Sequence, residues 1–354
     1  CTITNDDQPG TLIVKKTVVN NDGGALTPPD FSFQVNGGTA TPFESDRQND
    51  LTVDAGSYTV TEPAVAGYDT NMVNCPPNLQ VPNGGSATCT IINNDRPGKL
   101  IVIKTVVNDN GGTLTPPDFS FQVNGGPVTP FEPDGQNNFP VNAGTYTVTE
   151  PAVPGYATTY SNCANLQIPN GGVETCTITN DDIAPTLTLV KTVTNDNGGT
   201  KVVADFPLFI DGVPATSGVA YPVSASVVHT ATETTQTGYT ASVWGTDCAA
   251  GGTITLQLGD AKTCTITNDD IAPTLTLVKT VTNDNGGTKV VADFPLFIDG
   301  VPATSGTAYP VSANALHTAT ETSQTGYTAS AWGWDCAPGG TITLQPGDEK
   351  TCTI

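Results

Sequence analysis

The stretch Cys176-Thr177-Ile178-Thr179-Asn180-Asp181-Asp182 recurs as CTITNDD at Cys1 and Cys264, as CTIINND at Cys89 and, cut to CTI, at Cys352. Successive copies lie 88, 87, 88 and 88 residues apart. Self-similarity at that period marks a linear array of small domains, each large enough for one modest core. Within the motif Cys176, Ile178 and Asn180 share one face, while Thr177, Thr179 and Asp181 share the other. It therefore reads as a strand with an asparagine on its buried face. A buried carboxamide costs roughly a few kcal/mol unless it finds a partner, so the partner of Asn180 becomes the central question.

Residues 1–7 read as the last strand of a preceding repeat, followed by repeats at 8–95, 96–182, 183–270 and 271–354, the last with its final strand cut short. Repeat 1 opens with TLIVKKTVVN, where Leu12, Val14 and Lys16 share a face. FSFQVNGG follows, with Phe31, Phe33 and Val35 in phase and a hairpin signal at Asn36-Gly37. A strand is expected at 50–54, and in YTVTEP residues Tyr58, Val60 and Glu62 face together. Repeat 2 follows the same plan. Repeats 3 and 4 form a second subtype, and residues 183–218 match 271–306 without a difference, as recent duplication leaves them. About seven short strands per repeat, rich in Val, Thr and Ile and punctuated by turn residues, give an all-β, elongated tandem array of four immunoglobulin-like or prealbumin-like β-sandwich domains. Pro9, Pro97, Pro185 and Pro273 stiffen joints that have almost no linker.

The chain carries 34 acidic against 12 basic residues, a net charge of −22, which repels nucleic acid and anionic membrane surfaces. No apolar run approaches the roughly 18 residues that span a bilayer. Eight of nine cysteines form one pair per repeat: Cys75/Cys89, Cys163/Cys176, Cys248/Cys264 and Cys336/Cys352. Zinc is the poorer reading, because no CxxC spacing exists and the two histidines lie elsewhere. Disulfides place the chain in an oxidising, extracellular setting. Cys1, without a partner, reads as the second cysteine of an upstream repeat, and Asn5 as that repeat's last-strand asparagine.

Three polar residues lie on core-facing positions in each repeat. The first strand supplies Lys16, Lys104, Lys191 and Lys279; the strand before Gly-Tyr supplies Glu62, Glu150, Glu233 and Glu321; the last supplies Asn93, Asn180 and Asn268. Lysine is rarely buried. Desolvation lowers the pKa of a buried lysine and raises that of a buried glutamate, which leaves a neutral amine able to attack the asparagine carboxamide with loss of ammonia. Proximity in a folded core would stand in for an enzyme.

The order of VK in the first strand, YTVTEP-x-x-x-GY in the middle and TITN at the end resembles the collagen-adhesin B-type domains and the SpaA-like prealbumin-fold domains of bacterial surface proteins. The resemblance runs through the whole chain four times. It implies intramolecular isopeptide bonds Lys16–Asn93, Lys104–Asn180 and Lys191–Asn268, each assisted by the repeat's glutamate. The sequence departs from that pattern in its cysteine pairs and in repeats 3 and 4, where no proline follows Glu233 or Glu321. A noncovalent Lys–Glu–Asn network, or a lysine reaching to the rim, leaves the same alternation.

Oxygen-rich turns make Asp181, Asp182, Asp196 and Asn197 candidate calcium ligands, although no complete twelve-residue calcium loop exists and turn chemistry explains the same residues. Otherwise no cofactor is expected. His229 and His317 align with Tyr58 and Tyr146 as core replacements. Trp244, Trp332 and Trp334 read as packing against the disulfide, with a glycan platform as the sharper alternative. No enzyme motif such as GxSxG, HExxH or a phosphate loop occurs, so no enzymatic activity is expected. The expected function is a stalk or fibre segment of a secreted or cell-surface protein, whose partners are neighbouring repeats and whose distal ligand the sequence does not name. A matrix- or glycan-binding module, or a filament subunit joined by strand donation, are the alternatives.

Overall fold

Alternation with period two dictates the first strand of repeat 1, Gly10–Val19 (β1), whose Leu12, Val14 and Lys16 are buried while Lys15 and Thr17 are exposed. The computed structural model describes residues 1–354. A 3₁₀ turn at Pro28–Asp30 leads into Ser32–Val35 (β2), Thr41–Pro42 (β3), Gln48–Val53 (β4), Gly56–Tyr58 (β5), Val60–Thr61 (β6), Tyr68–Val73 (β7), Leu79–Val81 (β8) and Ser86–Asp95 (β9). One sheet runs β4-β1-β9-β7; facing it are β3-β2-β6 and the pair β5-β8. The first and last strands are parallel neighbours at the centre of their sheet, with Lys16 opposite Ile91 and Val18 opposite Asn93. Lys16 and Asn93 therefore lie diagonally on one face.

Leu12, Val14, Phe31, Phe33, Phe43, Val60, Val81 and Ile91 close the core between the layers. Each of the two ring pairs Phe31–Tyr68 and Phe33–Phe43 adds about 1 kcal/mol beyond its buried area. The parallel pair recurs as Gly98–Val107 with Val173–Asp182, Thr186–Thr194 with Ala261–Asp270, and, shorter, Thr274–Val278 with Glu349–Thr353. Helical structure is confined to one 3₁₀ turn per repeat, and no helix is long and apolar enough to cross a membrane.

Two strand expectations shift. The strand expected at 50–54 spans Gln48–Val53, because the Asp54-Ala55-Gly56 turn already begins after Val53. The single run expected over Tyr58, Val60 and Glu62 is split at Thr59, whose N–H donates to Asn36 Oδ1 and whose carbonyl accepts from Asn36 N. The chain thus passes from β5, paired with β8, to β6, paired with β2.

All four cysteine pairs are bonded as expected, and Cys1 is free and exposed. Each bond closes a short loop next to the last strand, worth roughly 3 kcal/mol against unfolding in the loop-entropy account. Trp244 and Trp332 pack into the cores beside Cys248 and Cys336, whereas Trp334 is 79% exposed.

The chain forms two compact units, residues 1–182 and 183–354. Inside the first, the joint between repeats is a set of backbone hydrogen bonds. Ala143 N donates to Asp22 O at 2.7 Å and Arg96 N to Gly67 O at 2.8 Å. Gly23 at this joint has φ 89°, and a Cβ there would lie 2.6 Å from the Ala143 carbonyl oxygen. The second unit repeats the arrangement with Ala313 N to Asn197 O at 2.7 Å and Ile271 N to Gly238 O at 2.9 Å.

Candidate functional site

The strand phase carries Lys16 inward to 1% exposure. Its Nζ donates to Glu62 Oε1 and to Asn93 Oδ1, and it stands 4.0 Å from the centroid of the Phe31 ring. The side chains of Lys16 and Glu62 are wholly shielded from solvent. Repeat 2 repeats this: Lys104 Nζ donates to Glu150 Oε2 at 2.5 Å and to Asn180 Oδ1, 4.0 Å from the Phe119 ring. In repeat 3, Lys191 Nζ donates to Glu233 Oε2 at 2.5 Å and to Asn268 Oδ1, with Phe206 at 4.6 Å. Repeat 4 pairs Lys279 with Glu321 at 2.7 Å over Phe294 at 4.5 Å; residues 1–354 hold no counterpart of Asn268 for it.

In repeats 1 to 3 the lysine, glutamate and asparagine singled out in the sequence thus meet one another, and in repeat 4 Lys279 meets Glu321. The ring beneath each ammonium was not anticipated as part of the site, although Phe31 and its equivalents share phase with the core. Burial pushes the Lys16, Lys104 and Lys191 amines below the usual lysine range, against the hydrogen bond and charge of the partner glutamate, which favour the ammonium. A lysine depressed in this way reaches its nucleophilic, neutral form at lower pH. It lies in contact with a carboxamide, and a carboxyl group able to carry the proton touches the same nitrogen.

The candidate calcium ligands do not come together as one set. Asp181 and Asp182 cluster with Asp109 of repeat 2, while Asp196 clusters with Asp269 and Asp270 of repeat 3. Asn197 is a donor there, its N–H and side-chain amide reaching Asp270. Asp182 accepts N–H groups from Asp109 at 3.0 Å, Asn110 at 3.0 Å and Gly112 at 2.6 Å. Burial works against its charge, but these donors hold its carboxyl below the usual carboxylate range. Donor protons already crowd these oxygens, so the donor set fits a clamp on the Asn-Asp-x-Gly-Gly loop better than a cation. Asp95 and Asp270 clamp the equivalent loops. The recurrence of the second aspartate in NDD was a signal for this role.

His229 is buried, with Nδ1 2.6 Å from Asp211 Oδ2 and Nε2 2.8 Å from Ser224 O; His317 does the same with Asp299 and Ser312. They are core replacements, as expected, and polar ones. Both partners offer oxygen acceptors, an arrangement that the doubly protonated ring satisfies at both nitrogens. Burial opposes the charge, but the hydrogen bond to Asp211, the Ser224 carbonyl and the aspartate charge together raise the His229 pKa above 6.5. A group raised on folding adds stability that is complete below 6.5 and is lost as pH climbs through the folded value. An NMR titration of the two ring Cε1 protons should give midpoints above 6.5 for both; a midpoint at or below it contradicts the assignment.

The model of a prealbumin-like fold domain family matches residues 7–91, 95–180, 182–266 and 270–354. Among curated protein sequences, none matches this chain. Among solved structures, the Bacillus anthracis TIE protein is 19% identical over 74% of this chain and 51% of its own, with a TM-score of 0.44. The chain spans about half the length of that protein. Two B repeat units of the Staphylococcus aureus collagen-binding protein are 15% identical over 98% of this chain and 99% of theirs, with a TM-score of 0.23. The Streptococcus pyogenes major pilin is 17% identical over 49% of this chain and 97% of its own, with a TM-score of 0.25. With four tandem matches covering nearly all its residues, each on a sandwich whose first and last strands run side by side, this chain belongs to the prealbumin-like fold domain family.

Proposed function

We propose that the chain is a force-bearing stalk segment of an extracellular, cell-surface protein, and that repeats 1 to 3 lock themselves by bonds Lys16–Asn93, Lys104–Asn180 and Lys191–Asn268. The observation that carries this reading is the buried contact of each lysine Nζ with both a glutamate and an asparagine of its own repeat. Starting as the neutral amine, Nζ attacks Cγ of the asparagine and passes one proton to the glutamate carboxylate. The Nζ–Cγ bond forms, the Cγ–Nδ2 bond breaks, the glutamate returns the proton, and ammonia leaves.

The mechanical role follows from topology. A pull along the repeat enters through β1 and leaves through β9, the two strands the bond would join. Tension would then bypass the hydrogen bonds of the sandwich. Four disulfides support an oxidising extracellular location. The proposed partners are neighbouring repeats, consistent with the backbone joints inside each unit. A glycan platform gains nothing from the tryptophans, two of which are buried and the third of which occurs in one repeat alone.

A protease digest of the fully reduced chain tests the reading. Branched peptides joining residues 16 to 93, 104 to 180 and 191 to 268 are expected. Recovery of the same segments only as separate linear peptides contradicts it.

A further inference from the structure

The three asparagines do not face the same neighbour. The adjacent antiparallel strand places Thr70 opposite Asn93, Thr158 opposite Asn180, and Ala241 opposite Asn268. In repeat 1, Asn93 Nδ2 donates to Thr70 Oγ1 at 3.0 Å, and Thr70 Oγ1 donates to Glu62 Oε2 at 3.0 Å. One hydroxyl therefore joins the nitrogen that must leave to the carboxyl that must carry protons. In repeat 2, Thr158 Oγ1 accepts from Asn180 Nδ2 at 3.1 Å, while Glu150 Oε1 is buried without a partner. In repeat 3 the alanine offers no hydroxyl, and Glu233 Oε1 is likewise buried and unpartnered.

We propose that Thr70 is a catalytic proton-relay residue for crosslink formation in repeat 1, and that repeat 3, with Ala241 at the equivalent position, closes its bond more slowly. The proposal rests on the reading that the lysine–asparagine bonds form. An amide nitrogen leaves as ammonia only after gaining a proton. Once the neutral Nζ has attacked Cγ and given a proton to Glu62 Oε1, the carboxyl turns to present that O–H to Thr70 Oγ1, which takes it as the threonine proton passes to Nδ2. The Cγ–Nδ2 bond breaks, the Nζ–Cγ bond remains, and both Glu62 and Thr70 end in their starting state. A β-branched threonine suits the task because its χ1 is restricted on a strand, which holds the hydroxyl in place. Thr70 is also exposed at the edge of the site, where ammonia can escape and where water is the only substitute relay in repeat 3.

The test compares three repeats within one molecule. The full chain, made by cell-free translation in oxidising conditions, is acid-quenched at intervals, reduced and digested, and the branched fraction is followed for each repeat. Repeat 1 is expected to close faster than repeat 3. Thr70→Val should slow repeat 1 by about 10-fold or more, since general acid–base assistance contributes on the order of 10²–10⁴-fold and water recovers part of it. Thr70→Ser should restore the rate to within a few-fold, and Ala241→Thr should accelerate repeat 3. Formation of the Cys75–Cys89 bond in the Thr70 variants and of the Cys248–Cys264 bond in Ala241→Thr reports that the repeat has folded. Equal rates in all repeats, with Thr70→Val and Ala241→Thr both without effect, overturn the relay while leaving the crosslinks standing. No branched peptide in any repeat overturns both.

Discussion

Lys16→Met should lower the melting temperature of repeat 1 by roughly 30 °C or more, and two separable effects make up the loss. The proposed bond closes a loop of 77 residues, which the loop-entropy account values at about 4.5 kcal/mol. Methionine also leaves Glu62 buried beside Phe31 without the Nζ–H donor that the lysine nitrogen keeps even as an amide, and a buried polar group left unsatisfied costs about 1–3 kcal/mol. Together they match the whole stability of an ordinary small domain, about 5–15 kcal/mol. Asn93→Ala separates the two effects, because it keeps the Lys16–Glu62 pair and removes only the bond. It should still cost about 4 kcal/mol, or roughly 20 °C. A noncovalent network predicts about 2 kcal/mol for the same change, the worth of the two hydrogen bonds Asn93 makes to Lys16 and Thr70. Calorimetry of the two variants against the parent chain decides between them.

The second large effect concerns length under load. In the parent chain, pulling from the two ends should extend repeats 1 to 3 by little, since tension crosses from β1 to β9 through the bond. Asn93→Ala should release a new step of roughly 200 Å. This is the contour of the residues between positions 16 and 93 less the loop that Cys75–Cys89 keeps closed, at about 3.5 Å per residue. Reduction of the disulfide should lengthen that step by roughly a further 50 Å, for a closed loop with a sequence separation of 14. Single-molecule force spectroscopy reads both increments. A step of this size in the unmutated repeat 1 contradicts the stalk mechanism.

Much of this was legible in the sequence because strand alternation fixes which side chains point inward. Lys16 in phase with Leu12 and Val14, and Asn93 in phase with Cys89 and Ile91, sufficed to place both in the core. The cysteine pairs were legible for a different reason, since a fixed period leaves each repeat one pair to close. What the sequence concealed was contact between segments distant in the chain. Thr70 looks like any strand threonine until β7 pairs with β9 and sets it against Asn93. Asp182 resembled a metal ligand because carboxylates in turns serve cations and backbone N–H groups alike, and only the fold shows loop amides aimed at it. The break at Thr59 was hidden because alternation continues across it while the hydrogen-bonding partner changes.

The intact mass of the fully reduced 354-residue chain is the most direct measurement of all. Three lysine–asparagine pairs, in repeats 1, 2 and 3, predict a mass below that of the sequence by three molecules of ammonia. A mass equal to that of the unmodified sequence would contradict the account.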